Sequence, residues 1–253
     1  MKQLTLLIPC YNSAAFIEKS FSTLEKFIET RPYISLVFID DSSKDETLSI
    51  LSDLQKKSAV SDRIKILKNE VNLGKGGAIK RGILAAESEL IAFTDPDLAY
   101  DLKNIDTFYE SIVPSQLLVA NRVHPESLYL ISPAFFRYIH TRHLSSRILN
   151  KLVSIFLIKG IEDCQAGLKM FYAEDIKPLL SLSCKNRFGF DMELLCMAKI
   201  NGIQIVQMPV LFYYTHETST VSFLSDSLKL FADLFHISFR KVIGKYKRQK
   251  SYL

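Results

Sequence analysis

Apolar residues in this chain alternate between two kinds of pattern. Short continuous runs at Leu4–Pro9, Ile34 to Ile39, Ile64 to Leu67, Leu90 to Thr94 and Leu117 to Ala120 read as buried strands. Between them the apolar positions recur at helical spacing. Ser13 can cap a helix to about Glu29 that carries Phe16, Ile17, Phe21, Leu24, Phe27 and Ile28. A second helix follows from about Lys44 with Leu48, Leu51 and Leu54, a third opens at Asn72-Leu-Gly-Lys-Gly-Gly77 and runs through Ala86, and a fourth spans Asn104 to Ile112. Strict alternation of the two periods predicts an α/β fold, with a mainly parallel, Rossmann-like sheet covered by helices on both faces. C-terminal amphipathic helices follow, and the expected division is a body over 1–220 and an appendage over 221–253.

Ligands of such sheets bind beyond the carboxyl ends of the strands. Polar residues collect there: Tyr11 and Asn12 after the first strand, Asp40 and Asp41 after the second, Asp95 and Asp97 after the fourth, Arg122 after the fifth. In Asp95-Pro96-Asp97 the proline bends the backbone so that two carboxylates converge. Two hard oxygen ligands suit Mg²⁺ or Mn²⁺ held jointly with a substrate's phosphates. A lone Asp-x-Asp is more often a solvated turn; polar residues at four of the five strand ends weigh against that reading. Gly74-Lys75-Gly76-Gly77 is neither a P-loop nor a dinucleotide fingerprint. A glycine-rich helix start with one lysine can receive a phosphate, or can serve only close backbone packing.

Ile8-Pro-Cys-Tyr-Asn12, Ile39-Asp-Asp-Ser-Ser-Lys-Asp-Glu-Thr47, Asn72-Leu-Gly-Lys-Gly-Gly-Ala78 and Thr94-Asp-Pro-Asp97 resemble, in order, the motifs of family 2 glycosyltransferases with the GT-A fold. Lys159-Gly-Ile-Glu-Asp-Cys-Gln-Ala-Gly-Leu-Lys-Met-Phe171 and Arg187-Phe-Gly-Phe-Asp-Met-Glu-Leu-Leu195 resemble its dolichyl-phosphate glucosyltransferase branch. Ser42 departs from the usual glycine of the Asp-Asp-Gly-Ser turn, and Ser13 from the glutamate of the mannosyl relatives. The resemblance implies a nucleotide-sugar donor, UDP-glucose foremost, and a polyprenyl phosphate acceptor. It implies that Pro9, Tyr11 and Asp41 hold base and ribose with Asp40 beside them, that Asp95 sits near the ribose or sugar, and that Asp97 carries the metal. It places Arg122, Gln165 and Lys169 around the sugar and the acceptor phosphate.

The acceptor decides whether a general base is needed. A sugar hydroxyl must lose a proton, and Asp163 or Asp191 would have to take it. A lipid phosphate, with a second pKa near about 6, arrives ionised and needs cations instead. Asp191 and Glu193 lie two apart and face different directions on a helix, so they are not an acid/base pair.

Charge adds a membrane expectation. The chain of 253 residues carries a net +5, yet no acid follows Asp233 while six lysines and arginines do, which leaves residues 1–233 at about −1. Ser127 to Ile161 also lacks acids and holds Arg137, Arg142, Arg147, Lys151 and Lys159; Arg142 and Arg147 are the expected cations at the lipid approach. Apolar stripes (Leu144, Ile148, Leu152, Ile155, Phe156, and Leu224, Leu228, Phe231, Phe235, Phe239, Val242) beside these cations suit helices lying on an anionic surface. Ordinary core helices are the plain alternative. Four cysteines without C-x-x-C spacing and an opening segment that turns directly into a strand point to a reduced cytoplasmic chain, peripheral on the cytoplasmic face of a membrane. Nucleic acid is not expected, because the body is near neutral and no recognition module is present. Two other functions compete: transfer to a saccharide hydroxyl in envelope polysaccharide synthesis, and a non-catalytic role in nucleotide-sugar binding or membrane docking.

Overall fold

The computed structural model describes residues 1–131, 147–214 and 223–248. Nine strands and eight helices are used below: β1 (Leu4–Cys10), α1 (Ala14–Glu29), β2 (Ile34–Asp40), α2 (Thr47–Lys57), β3 (Ile64–Lys68), α3 (Lys75–Ala85), β4 (Leu90–Phe93), α4 (Lys103–Ser111), β5 (Gln116–Ala120), β6 (Leu128–Ile131), α5 (residues 147–156), β7 (Lys169–Tyr172), α6 (Ala173–Ile176), α7 (Gly189–Ile200), β8 (Gln204–Met208), β9 (Leu211–Tyr214) and α8 (Phe223–Val242). The five expected strands are present within two residues of their expected bounds. β6 to β9 fall on stretches that the pattern did not assign to strands.

A seven-stranded sheet runs in the order β3-β2-β1-β4-β7-β5-β8. Every residue of β1 is buried, so it reads as a continuous apolar run, as a strand covered on both faces must. Fully burying each of Leu4, Leu6, Leu7 and Ile8 contributes about 1.5–3 kcal/mol. α1 lays Ile17, Phe21, Leu24 and Ile28 on the sheet, with Phe21 stacked on Phe38 at 5.4 Å between ring centroids.

The sheet departs from full parallelism at one strand. β7 runs antiparallel to both neighbours and pairs Lys169 with Phe93 and with Val119. An antiparallel strand begins at the edge where the parallel strands end. The loop leading into β7 is thereby delivered to the ligand edge. β6 and β9 form a separate parallel pair.

The C-terminal region belongs to the same core. Leu234, Ile237 and Tyr246 are fully buried with it. The chain through Tyr246 is therefore docked on the body and is not a solvated tail. Among the described residues no helix is long and apolar enough to cross a membrane.

Candidate functional site

The strand order reverses between β1 and β4, and the crevice beyond their ends holds the candidate site. On one side the loops after β1 and β2 clasp each other. Lys44 N–H donates to Asn12 Oδ1 at 2.8 Å, Asn12 N–H to Ser43 Oγ at 3.0 Å, and Ser13 N–H to Thr47 Oγ1 at 2.7 Å. The expected Ser13 cap of α1 is absent. Asp45 does that work from the neighbouring loop: Oδ2 accepts from Ala14 N–H at 3.0 Å, and Oδ1 accepts from Thr47 at 2.6 and 3.0 Å. Burial would raise the Asp45 pKa, but these bonds hold it below the usual range. Asn12 and Ser42 have φ of 50° and 62°, the left-handed region. Tyr11 projects from this loop, exposed, while Pro9 lies inside β1.

The paired acids after β2 have separate surroundings. Asp41 is buried and accepts from Asn69 Nδ2 at 2.6 Å, Leu73 N–H at 2.9 Å and Gly74 N–H at 2.7 Å. It ties the glycine-rich loop to the end of β2. Asp40 is also buried; its Oδ2 accepts from Ser43 N–H at 3.3 Å, and its Oδ1 has no hydrogen-bond partner among the described residues.

The glycine-rich loop packs closely, one of the two roles left open by its sequence. Gly74 has φ of 86°, and a Cβ there would lie 2.6 Å from Arg187 Cγ, so close packing on the start of α7 requires the glycine. Lys75, opening α3, reaches across to Asp95 with Nζ to Oδ1 at 2.6 Å. Asp97 lies on the same turn, accepts from Ala99 N–H at 3.1 Å, and lines a cavity of about 190 Å³ with Phe16, Lys19, Ser20, Thr23, Leu98 and Tyr213.

The far side of the crevice comes from β5, β7 and α7. Arg122 grips the buried Asp163 through Nε to Oδ2 at 2.7 Å and Nη2 to Oδ1 at 2.9 Å, and its own N–H donates to Oδ2 at 3.1 Å. Lys169 is wholly buried; Nζ donates to Asp191 Oδ1 at 2.5 Å and to Ala166 O at 2.6 Å, and stands 5.3 Å from the centre of the Phe93 ring. Resemblance had put Lys169 around the sugar and acceptor phosphate; the structure encloses its ammonium beneath the site, next to Asp191. Gln165 is half-buried on the same loop. Gly167 packs so tightly on Asp95 that a Cβ there would overlap Oδ2.

These charges converge. Burial alone would raise the Asp95 pKa, but Lys75 foremost, then Arg122 and Lys169, hold it below the usual carboxylate range. Burial likewise opposes ionisation of Asp163, and Arg122 outweighs it. Burial alone would lower the Lys75 pKa, but Asp95, Asp191 and Asp97 outweigh it and raise it.

Asp191 and Glu193 do face apart. Glu193 is buried on the other side of α7, accepting from Ser183 Oγ at 2.5 Å, Lys185 N–H at 2.8 Å and Tyr246 Oη at 2.7 Å. Arg147 is exposed at the start of the described part of α5, and Arg142 lies outside the described residues. Sequence reasoning missed Asp45, Tyr100 and Phe212. Tyr100 Oη accepts from Gly167 N–H at 3.0 Å, and the Phe212 ring lies 5.6 Å from the Arg122 guanidinium. The Asp45-x-Thr47 spacing, an Asx-type turn, was a signal for the first; the two aromatics carried none.

Two carboxylates on one tight turn, one of them already paired to a cation, have the donor chemistry for a hard divalent metal. No cluster of three or more His, Cys, Asp or Glu forms among the described residues.

Comparison with known proteins agrees with this architecture. Residues 5–173 match the family model described as glycosyl transferase family 2. The dolichyl-phosphate beta-glucosyltransferase of Homo sapiens is 28% identical over 263 residues, covering 99% of this chain and 79% of that protein. The enzyme of the same description from Dictyostelium discoideum is 28% identical, covering 96% and 76%. In fold, the chain superposes with a TM-score of 0.62 on Mycobacterium tuberculosis glucosyl-3-phosphoglycerate synthase in complex with Mn²⁺, UDP and phosphoglyceric acid, at 18% identity, covering 94% of this chain and 78% of that one. The fold is that of GT-A glycosyltransferases.

Proposed function

This chain belongs to glycosyl transferase family 2, and from that premise we propose that it moves a hexose, glucose foremost, from a nucleoside diphosphate sugar to a polyprenyl phosphate. The observation that carries the acceptor class is the convergence of Lys75, Arg122 and Lys169 on Asp95, while both candidate bases, Asp163 and Asp191, are occupied by cations. Arg122 holds the Asp163 carboxyl below its usual range, which makes it a poor proton acceptor, and Asp191 is taken up by the Lys169 ammonium at 2.5 Å. An anionic nucleophile needs no base, and a cationic floor favours its approach.

On this reading the nucleotide lies over the loops after β1 and β2. Asp40 Oδ1, buried without a partner among the described residues, suits a ring N–H such as that of uracil. Tyr11 offers an exposed ring for the base, Pro9 and Asn12 shape its loop, and Asp41 fixes the loop that presents Lys75. Asp95 and Asp97 would hold Mg²⁺ or Mn²⁺ with the diphosphate. When bound, the metal offsets charge on the leaving nucleotide. A phosphate oxygen of the lipid attacks the anomeric carbon from the face opposite the diphosphate. The new C–O bond forms as the bond to the diphosphate breaks, inverting the centre, with no proton to remove. Arg122 holds the acceptor phosphate, Lys169 adds positive charge from below, Gln165 borders the sugar, and Arg147 borders the lipid approach.

The surface supports a membrane as the place of reaction. In α8 the buried face is Leu234 and Ile237, while Phe235 and Phe239 are 64% and 63% exposed and Val242 is 83% exposed. Ile155 and Phe156 of α5 are exposed too, and Phe156 meets Phe235 at 6.3 Å between ring centroids, joining the two helices into one apolar patch. Exposed Lys151, Lys159, Lys245 and Lys247 supply positive charge on the same segments. Exposed apolar area on segments that also carry lysines suits an anionic leaflet, on the cytoplasmic face in a cell.

The test is to incubate the protein with several nucleotide sugars, Mg²⁺ or Mn²⁺, and a short polyprenyl phosphate. Lipid-linked hexose is the expected product. Transfer only to a saccharide hydroxyl would select the competing enzyme reading.

A further inference from the structure

Arg122 could be a surface cation that happens to find an acid, yet its surroundings are built around it. Asp163 is buried and spends both oxygens on this one residue, receiving Nε, Nη2 and the backbone N–H. The Phe212 ring lies 5.6 Å from the guanidinium. The loop carrying Asp163 is itself pinned at both neighbours: Glu162 N–H donates to Gln207 Oε1 at 2.8 Å, and Cys164 N–H to Asn150 Oδ1 at 3.0 Å. A guanidinium is a planar fork. Gripping its Nε/Nη2 edge fixes the plane and turns the Nη1 edge away from the acid. The same guanidinium is close enough to Asp95 to lower its pKa.

We infer that Asp163 is a positioning residue, which fixes the Arg122 guanidinium in the orientation that receives the acceptor's phosphate, and is not a proton acceptor. The inference rests on the functional reading above and deepens it. Ordering a long side chain in advance spares that ordering at the moment of binding. Arg122 thus contributes affinity that a free surface arginine would not. The groups facing Asp163 are Arg122, Lys169 and Tyr100.

The deciding experiment compares Asp163→Asn, Asp163→Glu, Arg122→Lys and the double variant Asp163→Asn/Arg122→Lys in the full chain. Readouts are kcat, KM for UDP-glucose, KM for a short polyprenyl phosphate, the pH–rate profile and the melting temperature. Asp163→Asn is expected to raise the acceptor KM by about 10- to 100-fold, the usual weight of a partner that orients a binding group. Donor KM and the shape of the pH profile stay as they were. Asp163→Glu, which keeps the charge, recovers part of the loss, and it serves as the test if the asparagine variant does not fold. With lysine at 122 there is no fork to orient, so the double variant is no worse than Arg122→Lys alone.

Loss of kcat at unchanged acceptor KM, with the acid limb of the pH profile gone, would make Asp163 a base and overturn the inference. Fully additive effects in the double variant would also overturn it. If Arg122→Lys weakens the acceptor and both Asp163 variants match the unaltered protein, this inference alone falls. If the unaltered protein neither binds nor uses polyprenyl phosphate, the functional reading falls first.

Discussion

The two sides of the crevice hold their carboxylates by different means. On the side of β1 and β2, Asp41 and Asp45 are held by neutral donors: backbone N–H groups, an amide and a hydroxyl. Beyond β4, β5 and β7, Asp95, Asp163 and Asp191 each face a cation at 2.5–2.7 Å. The first arrangement gives loops a fixed shape. The second stores paired charge, which a bound anion or metal can rebalance. Acids held by neutral donors should therefore matter to folding, and acids held by cations to turnover.

Glu193 sharpens the comparison, because it lies in the second half and is held the first way. Its Tyr246 partner is fully buried. Ending the chain after Ile243 should cost about 3–5 kcal/mol, as for other large buried aromatics. At roughly 2–4 °C per kcal/mol for this size, calorimetry should show a melting point lower by roughly 6–20 °C. An unchanged melting point would mean that the chain beyond α8 is a solvated tail after all.

Asp97→Ala should do the opposite. Transfer should fall by at least about 100-fold, the scale of losing one preorganised charge at the reacting centre, and the melting temperature should hold, since Asp97 is not part of the core. Near-normal turnover, or full activity in excess chelator, would remove the metal role.

Within the first half, Asp40 and Asp41 part company. Asp41→Asn leaves one oxygen where two accept three bonds, a loss of about 1.5–3 kcal/mol read by denaturant unfolding. Asp40→Asn disturbs a single 3.3 Å bond, so stability should change little while nucleotide binding by calorimetry weakens.

The pH response should be smaller. Asp45 and Asp163 are both depressed in the folded protein. Their stabilisation is complete above the unfolded carboxylate value, about 3.9, and is lost as pH falls through the lower folded value. From these groups the melting point should be flat from about pH 5 to 8 and fall below about pH 4. A melting point that stayed flat below about pH 4 would mean that neither pairing persists in solution.

Much of this site was legible as residues and little of it as pairs. Asp40, Asp41, Asp95, Asp97 and Arg122 stood out because apolar runs ended on them, and a run's end is a local signal. Arg122–Asp163 and Lys169–Asp191 join positions 41 and 22 residues apart through a strand whose direction no period-two pattern encodes. Lys169-Met-Phe-Tyr172 looks the same whether it runs up or down the sheet. The apolar stripes on α5 and α8 were visible, but which face was covered depended on the docking of α8. The body took Leu234 and Ile237 and left Phe235 and Phe239 outside.

The central claim is that the nucleophile arrives as an anion and is received by cations. The most direct test offers the protein UDP-glucose with Mn²⁺ and either a short polyprenyl phosphate or the matching polyprenol, whose terminal hydroxyl must lose a proton to react. Glucose should appear on the phosphate and not on the alcohol. Glucosylated polyprenol, or equal rates on the two, would contradict the account.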